Sequence, residues 1–266
     1  MTQIPQIISI LLILCLAIFT FKFFPLKITV RDLVSVSLLT VISVILGIFS
    51  WMIPLMGFPS LKVGFSQLPL ILIGFIFGPS WAFLAGLSAD ILELLSGTIA
   101  FPFFGFTLNK ILIAMIPALV AHYAPKTKPF ISSLLLSLIS LGALGYVFTL
   151  ETLTLQDQVI VVSFQMKLFV GAFVVLACSA VVLALYKIGK VIKFETSQSF
   201  ILSIVLIEMI VQMGLTPLWL NAMYGLPILV SISARLVKAV LMIGLNAYLG
   251  LISLQTLQKL RTTSSK

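Results

Sequence analysis

The sequence predicts an all-α, polytopic membrane protein, and three observations carry that prediction. Hydrophobic residues make up 61% of the 266 positions and charged residues only 9%. Apolar runs long enough to cross a bilayer recur from Leu11 to Leu251. The basic residues stand in short clusters between those runs. A formal net charge of +9 would point to nucleic acid in a soluble chain. With this spacing it reads as membrane orientation, and no nucleic-acid partner is expected. Cys15 and Cys178 both lie inside apolar stretches, which gives a structural disulfide or a thiolate metal site little support.

The first apolar run, 7–24, resembles a signal-peptide core. A signal peptide carries positive charge before the core and small residues after it; here no Lys or Arg precedes Lys22, and Phe-rich sequence follows. It is read as a retained transmembrane helix (1–30) with Lys22, Lys27 and Arg31 at its cytoplasmic end, which puts Met1 outside. Further spans are expected at 32–55, 65–78, 80–95, 105–123, 130–149, 159–186, 198–218 and 227–252. With these, every second loop is basic. Eleven of the sixteen basic residues fall inside (Lys22, Lys27, Arg31, Lys126, Lys128, Lys187, Lys190, Lys193, Lys259, Arg261 and Lys266). The outer loops hold only Lys62 and the acidic stretch ETLTLQD. The expectation is nine helices in a cell membrane, N-terminus outside and C-terminus cytoplasmic. Lys110, Lys167, Arg235 and Lys238 remain within or at the edges of spans and need a separate explanation.

The run GFSQLPLILIGFIFGPSWAFLAGLSADILELL, 64–95, is broken by Gly78-Pro79. Residues 65–78 make a helix of roughly 21 Å and 80–95 one of roughly 24 Å, against a hydrocarbon core of about 30 Å. Pro79 removes a backbone donor and Gly78 tolerates unusual dihedrals, so two short helices joined by a tight turn are expected rather than one kinked helix. The second helix carries the interleaved small pairs Ala82/Gly86 and Ala85/Ala89, and helix 32–55 carries Ser43/Gly47. Such faces let another helix approach closely, within the chain or from a partner.

The residues GFPSLKVGFSQLPLILIGFIFGPSWAFLAGLSADIL, then GFTLNKIL, then TPLWLNAMYG followed by Arg235, resemble the folate-specific substrate-binding subunits (the FolT family) of energy-coupling factor transporters. The resemblance covers 31–123 and about 198–252. It implies a six-helix core that binds a vitamin from outside, with helices 1–4 in 31–123 and helices 5–6 plus a cytoplasmic tail in 198–266. It also implies docking on a transmembrane coupling subunit with two cytoplasmic ATPases, the small residues Ser43, Gly47, Ala82 and Gly86 meeting that subunit. The chain departs from the pattern in its N-terminal helix and in a helical pair inserted at 124–197, about three helices beyond the core. Thr216-Pro217 also stands before Trp219 where the family has Asn-Thr.

Arg235 and Lys238 lie about two turns into the last helix and one turn apart on one face, where they could meet an anion in an outward cavity. Folate needs a stacking platform, directional hydrogen bonds and cations for its carboxylates. Trp219 and Tyr224 are candidates for stacking, Asn109, Asn221 and Gln67 for hydrogen bonds, and Arg235, Lys238, Lys110 and Lys62 for charge. The alternatives are that Arg235 pairs with Glu208 or a helix carbonyl, and that the aromatic residues form an interfacial belt. Asp90 is expected to pair with a lysine such as Lys110, Glu93 sharing its face. An intramembrane enzyme is poorly supplied, since His122 is the only histidine and no acid stands at metal-ligand spacing from it. No catalytic residue, cofactor or metal is therefore expected. A Walker-type run is absent, so ATP energy would come from other chains. A proton-coupled transporter lacks a visible internal repeat, and a subunit for another B vitamin remains open.

Overall fold

The computed structural model describes residues 3–55, 58–97, 102–126 and 196–263, together with shorter pieces between 130 and 179. The chain is a predominantly helical membrane protein. Among the described residues, four helical stretches are long and apolar enough to cross a bilayer: Gln3–Phe23, Val30–Ile48, Phe104–Tyr123 and Ser197–Tyr224.

Helix α1 (Gln3–Phe23) packs on α5 and α4, with Ile13 and Leu16 touching the core while most of its other faces stay exposed. Helix α2 (Val30–Ile48) starts where the Thr29 hydroxyl accepts the Asp32 N–H at 3.1 Å, and Asp32 lies in the first turn, where a negative charge suits the helix dipole.

The predicted span 32–55 is too long. Helix α2 ends at Ile48, the Phe49 N–H bonds the carbonyls of Ile45 and Gly47, and the Ser50 hydroxyl also takes the Gly47 carbonyl at 2.6 Å. The next residues form an antiparallel hairpin of β1 (Trp51–Leu55) and β2 (Phe58–Val63), whose register slips between Ile53 and Pro54. Hydropathy alone extended the helix through WMIPL. Pro54 cannot donate to a helix ladder, and in a two-stranded edge it is tolerated at an irregularity.

Helices α3 (Gln67–Phe77) and α4 (Pro79–Leu95) form the expected hairpin. Gly78 between them has φ +88° and ψ −178°, a conformation available to glycine and strained for other residues, and Pro79 opens α4 at a position where its missing N–H does no harm. Helix α5 (Phe104–Tyr123) is the hub, packed against α1, α3, α4 and the later helices. A second antiparallel hairpin, β3 (Thr152–Leu155) with β4 (Gln158–Val161), occupies the predicted start of span 159–186. The continuous course of the pair predicted at 130–149 and 159–186 lies outside the described residues.

Beyond it, α6 (Ser197–Leu206) runs into a π-helical segment, Ile207–Leu215, and then α7 (Thr216–Tyr224), closed by Gly225 in the left-handed region. Helix α8 (Ile228–Thr263) continues past the predicted end at 252 and takes Lys259 and Arg261 into its last turns. Its 36 residues rise about 54 Å. The main apolar cluster is centred on Ile71, Ile73, Ile111, Met115, Phe200, Ile204 and Ile243, and a smaller one joins Phe103, Leu108 and Trp219.

Two ends of the bundle can be told apart. At one, the Phe24 carbonyl meets the Ser80 hydroxyl, His122 stands edge-on to Phe24 at 5.1 Å, and Ser199 donates to the Ala124 carbonyl at 2.6 Å. At the other lie the β1–β2 hairpin, the end of α4 and the start of α5.

Candidate functional site

Polar side chains buried inside an apolar bundle are costly unless paired, so their clusters mark what the fold is arranged to hold. Three clusters follow one another from α4 across α5 to α8.

The first joins α4, α5 and β2 at the hairpin end. Lys110 Nζ lies 3.0 Å from Asp90 Oδ1 and 2.9 Å from Glu93 Oε2, and Lys62 Nζ reaches Glu93 Oε2 at 3.4 Å. The Thr107 hydroxyl donates to Asp90 Oδ2 at 2.6 Å. Asp90, Thr107 and Lys110 meet because α4 and α5 pack side by side with the acids on the last turns of one and the basic residue on the first turns of the other. Among the described residues, two carboxylates meet two ammonium groups here. Lys110 thus pairs with Asp90 as expected and takes Glu93 as well, so its charge is engaged within the chain. The side chain of Lys62 is 34% exposed and is the cluster's outlet to the surface.

The second cluster closes α5 on α7. Trp219 Nε1 donates to Asn109 Oδ1 at 3.1 Å, Asn109 Nδ2 donates to Thr216 Oγ1 at 3.0 Å, and Thr216 Oγ1 donates to the Val211 carbonyl at 2.7 Å. The indole is buried against Phe103, ring centroids 5.9 Å apart, and over Gly105, where a Cβ would come within 2.7 Å of it. Trp219 is therefore no interfacial-belt residue; the indole expected to stack on a ligand packs on Phe103, and the Asn109 amide expected to bond a ligand joins these helices instead. The Thr216 N–H also reaches back five residues to Val211, which fixes the π-helical spacing, while Pro217 removes the donor of the next position.

The third cluster lies on the seam between the π segment and α8. Arg235 Nη1 donates to Gln212 Oε1 at 3.0 Å and Arg235 Nε to Ser231 Oγ at 3.4 Å. Glu208 stands on the π segment four residues before Gln212. All are deeply buried, Glu208 at 1%, Arg235 at 3% and Lys238 at 8% exposure. Arg235 and Lys238 sit one turn apart on the buried face of α8, as their spacing predicts. Among the described residues, two basic side chains and one acid are buried along this seam.

The remaining candidates lie apart from these clusters. Asn221 is exposed, and its amide donates to the Leu226 carbonyl at 2.8 Å, holding the α7–α8 turn. Tyr224 and Gln67 are half-buried. The four small residues expected to meet a coupling subunit do not form an outer face. Ser43 is buried and donates to the Ser66 carbonyl at 2.6 Å. A Cβ on Gly47 would lie 2.7 Å from Glu93 Oε1, and one on Gly86 2.6 Å from the Ile111 Cα; Ala82 is fully buried. These positions are small because α2, α4 and α5 need close approach to one another.

Gln212, Thr107 and Ser231 were not singled out in the sequence. The usable signal was Glu208 and Gln212, two polar residues four apart in the apolar run ILSIVLIEMIVQMGL.

No protein-family profile matches the chain. Over 102 residues it is 34% identical to a protein of Mycoplasma pneumoniae named "Uncharacterized protein MG313 homolog", a stretch that is 38% of this chain and 34% of that one. The chain thus spans about a third of the length of the curated relative it matches.

Proposed function

We propose that this membrane protein is the substrate-binding subunit of an energy-coupling factor type importer, with folate as its ligand. The observation that carries the reading is the seam cluster: Arg235 and Lys238 are buried in an apolar bundle with one acid, Glu208, among the described residues of the seam, and Gln212 is fixed beside the guanidinium. Charges inside a bundle are expensive to keep, and an excess of one sign suits a site that completes itself with an anionic ligand. The folate carboxylates are such anions, and the sequence resemblance supplies the vitamin. On this reading the ligand enters from outside, and the N-terminal helix and the 124–197 insertion are additions to a six-helix core. A coupling subunit and two ATPases supply the energy, and the coupling subunit docks elsewhere than on Ser43, Gly47, Ala82 and Gly86.

The test is ligand binding by the purified chain alone. Native mass spectrometry of the protein as isolated, followed by titration with folate in detergent without nucleotide, should find a bound pterin and saturable binding. Binding of riboflavin or pantothenate with none of folate would move the specificity to another B vitamin. Binding of no vitamin, together with transport that needs no ATPase, would overturn the class.

A further inference from the structure

We infer that the π-helical segment Ile207–Leu215 sets the aim of Arg235: Thr216, tied to α5, fixes the turn that carries Gln212, and Gln212 fixes the plane of the guanidinium. The inference rests on the vitamin-binding reading and assigns it two positioning residues, neither of which touches the ligand.

The helices on either side of the segment are anchored independently. On α6 the Ser199 hydroxyl donates to the Ala124 carbonyl at 2.6 Å, and the buried Phe200 ring stands edge-on to Phe75, centroids 5.2 Å apart. The same ring lies so close to Gly250 of α8 that a Cβ there would come within 2.6 Å of it. On α7 the buried Trp219 indole packs on Phe103 and donates to Asn109 of α5. A continuous α-helix turns each residue by about 100°, and an i→i+5 ladder turns it by less, so the π-helical residues reset the face of one flank relative to the other.

Thr216 closes the last turn of that ladder. Its N–H and its hydroxyl both bond the Val211 carbonyl, and its Oγ1 accepts from Asn109 Nδ2 at 3.0 Å. Pro217 has no N–H to donate, and in a continuous α-helix its ring would crowd the Met213 carbonyl; a wider turn avoids that contact. Gln212 is the first residue inside the turn from Val211 to Thr216, so the bonds that pin Thr216 to α5 also decide where the Gln212 amide points. It points at α8. There Gln212 Oε1 accepts from Arg235 Nη1 at 3.0 Å, and Ser231 Oγ accepts from Arg235 Nε at 3.4 Å. The guanidinium is planar, so acceptors from two segments on two of its nitrogens define its plane, and a carboxylate must meet that plane to take paired hydrogen bonds. A slip of the ladder by one residue would turn Gln212 away by about 100° and break its bond to Arg235.

The experiment is folate titration in detergent on wild type, Gln212→Ala, Thr216→Val, Thr216→Ser and the double variant Gln212→Ala/Thr216→Val, with thermal melting of each. Gln212→Ala should weaken folate by about tenfold or more, the range for losing a bond to a charged group, and Thr216→Val, which keeps the shape without the hydroxyl, by about fivefold. Thr216→Ser restores the hydroxyl and should bind as wild type does. Because Thr216 acts through Gln212, the double variant should bind no more weakly than Gln212→Ala alone, even where it melts lower. A merely structural Thr216 gives the opposite pattern, and losses of affinity that multiply in the double variant overturn the inference. Wild-type affinity in Gln212→Ala or Thr216→Val overturns it too, as does Thr216→Ser binding as weakly as Thr216→Val. Should Thr216→Val fail to fold, Gln212→Asn decides: it draws the amide back by one methylene and should weaken folate as Gln212→Ala does, whereas wild-type affinity there overturns the inference. In all these outcomes wild type binds folate and the vitamin reading stands; a wild type that binds none overturns that reading and this inference with it.

Discussion

Replacing Gly86 by alanine adds one methyl group at the closest approach of α4 to α5. Its carbon would stand 2.6 Å from the Ile111 Cα, 2.8 Å from the Lys110 carbonyl oxygen and 2.9 Å from the Ile111 nitrogen. All three are backbone atoms of α5, so no side chain can swing aside. To restore a contact of about 3.5 Å, the two helices must part by about 0.9 Å at this point. The separation loosens Ala82, Ala85 and Ala89, which pack in the same core, and strains the 3.0 Å and 2.9 Å contacts of Lys110 with Asp90 and Glu93. Overpacking of this kind costs about 1–3 kcal/mol, against a gain of up to about 1 kcal/mol from alanine's helix propensity. Gly214→Ala is the control, because the nearest atom to its added carbon is the Met209 carbonyl oxygen at 3.5 Å, an ordinary contact. In thermal unfolding of the detergent-solubilised protein, Gly86→Ala should melt several degrees below wild type and Gly214→Ala should not, at roughly 2–4 °C per kcal/mol. Equal melting of Gly86→Ala and wild type would mean that the α4 face is free of α5 and open to another chain.

Arg235→Ala should weaken folate binding by about 1–3 kcal/mol, the range for losing a charge-assisted bond, as read by titration calorimetry; unchanged affinity would move the site off α8. Lys110→Met leaves Asp90 and Glu93 buried without the ammonium they share, and should destabilise by about 3–5 kcal/mol, seen as loss of monodisperse protein on size exclusion, whereas a stable variant would show that the acids are solvated. Trp219→Phe keeps a ring but loses the bond to Asn109, so its melting temperature should fall by the equivalent of about 1 kcal/mol; a fall in affinity without any loss of stability would return the indole to the ligand. Lys62→Ala, at a partly exposed pair, should change stability by less than about 1 kcal/mol in the same melting assay.

The sequence by itself determined that the chain is helical and lies in a membrane, because hydropathy is a property of each run taken alone. It also determined the α3–α4 break, since Gly78 and Pro79 act on their own backbone whatever surrounds them. The pairing of Asp90 with Lys110 could be anticipated for a similar reason: an isolated charge in that environment is too costly to leave unpaired. What only the tertiary structure decided is where each side chain's partner lies. Trp219 reads as a stacking platform until the fold brings Asn109, 110 positions away in the chain, within 3.1 Å of its nitrogen. Gly86 and Gly47 read equally well as a docking stripe or an internal seam, since small-residue spacing permits close approach without naming the helix that approaches; α5 and Glu93 supply the answer. The π-helical spacing at Ile207–Leu215 and the strand after Ile48 were hidden for another reason. Both replace one apolar geometry with another, and the choice between them lies in hydrogen bonds made to specific neighbours, which no apolar pattern encodes.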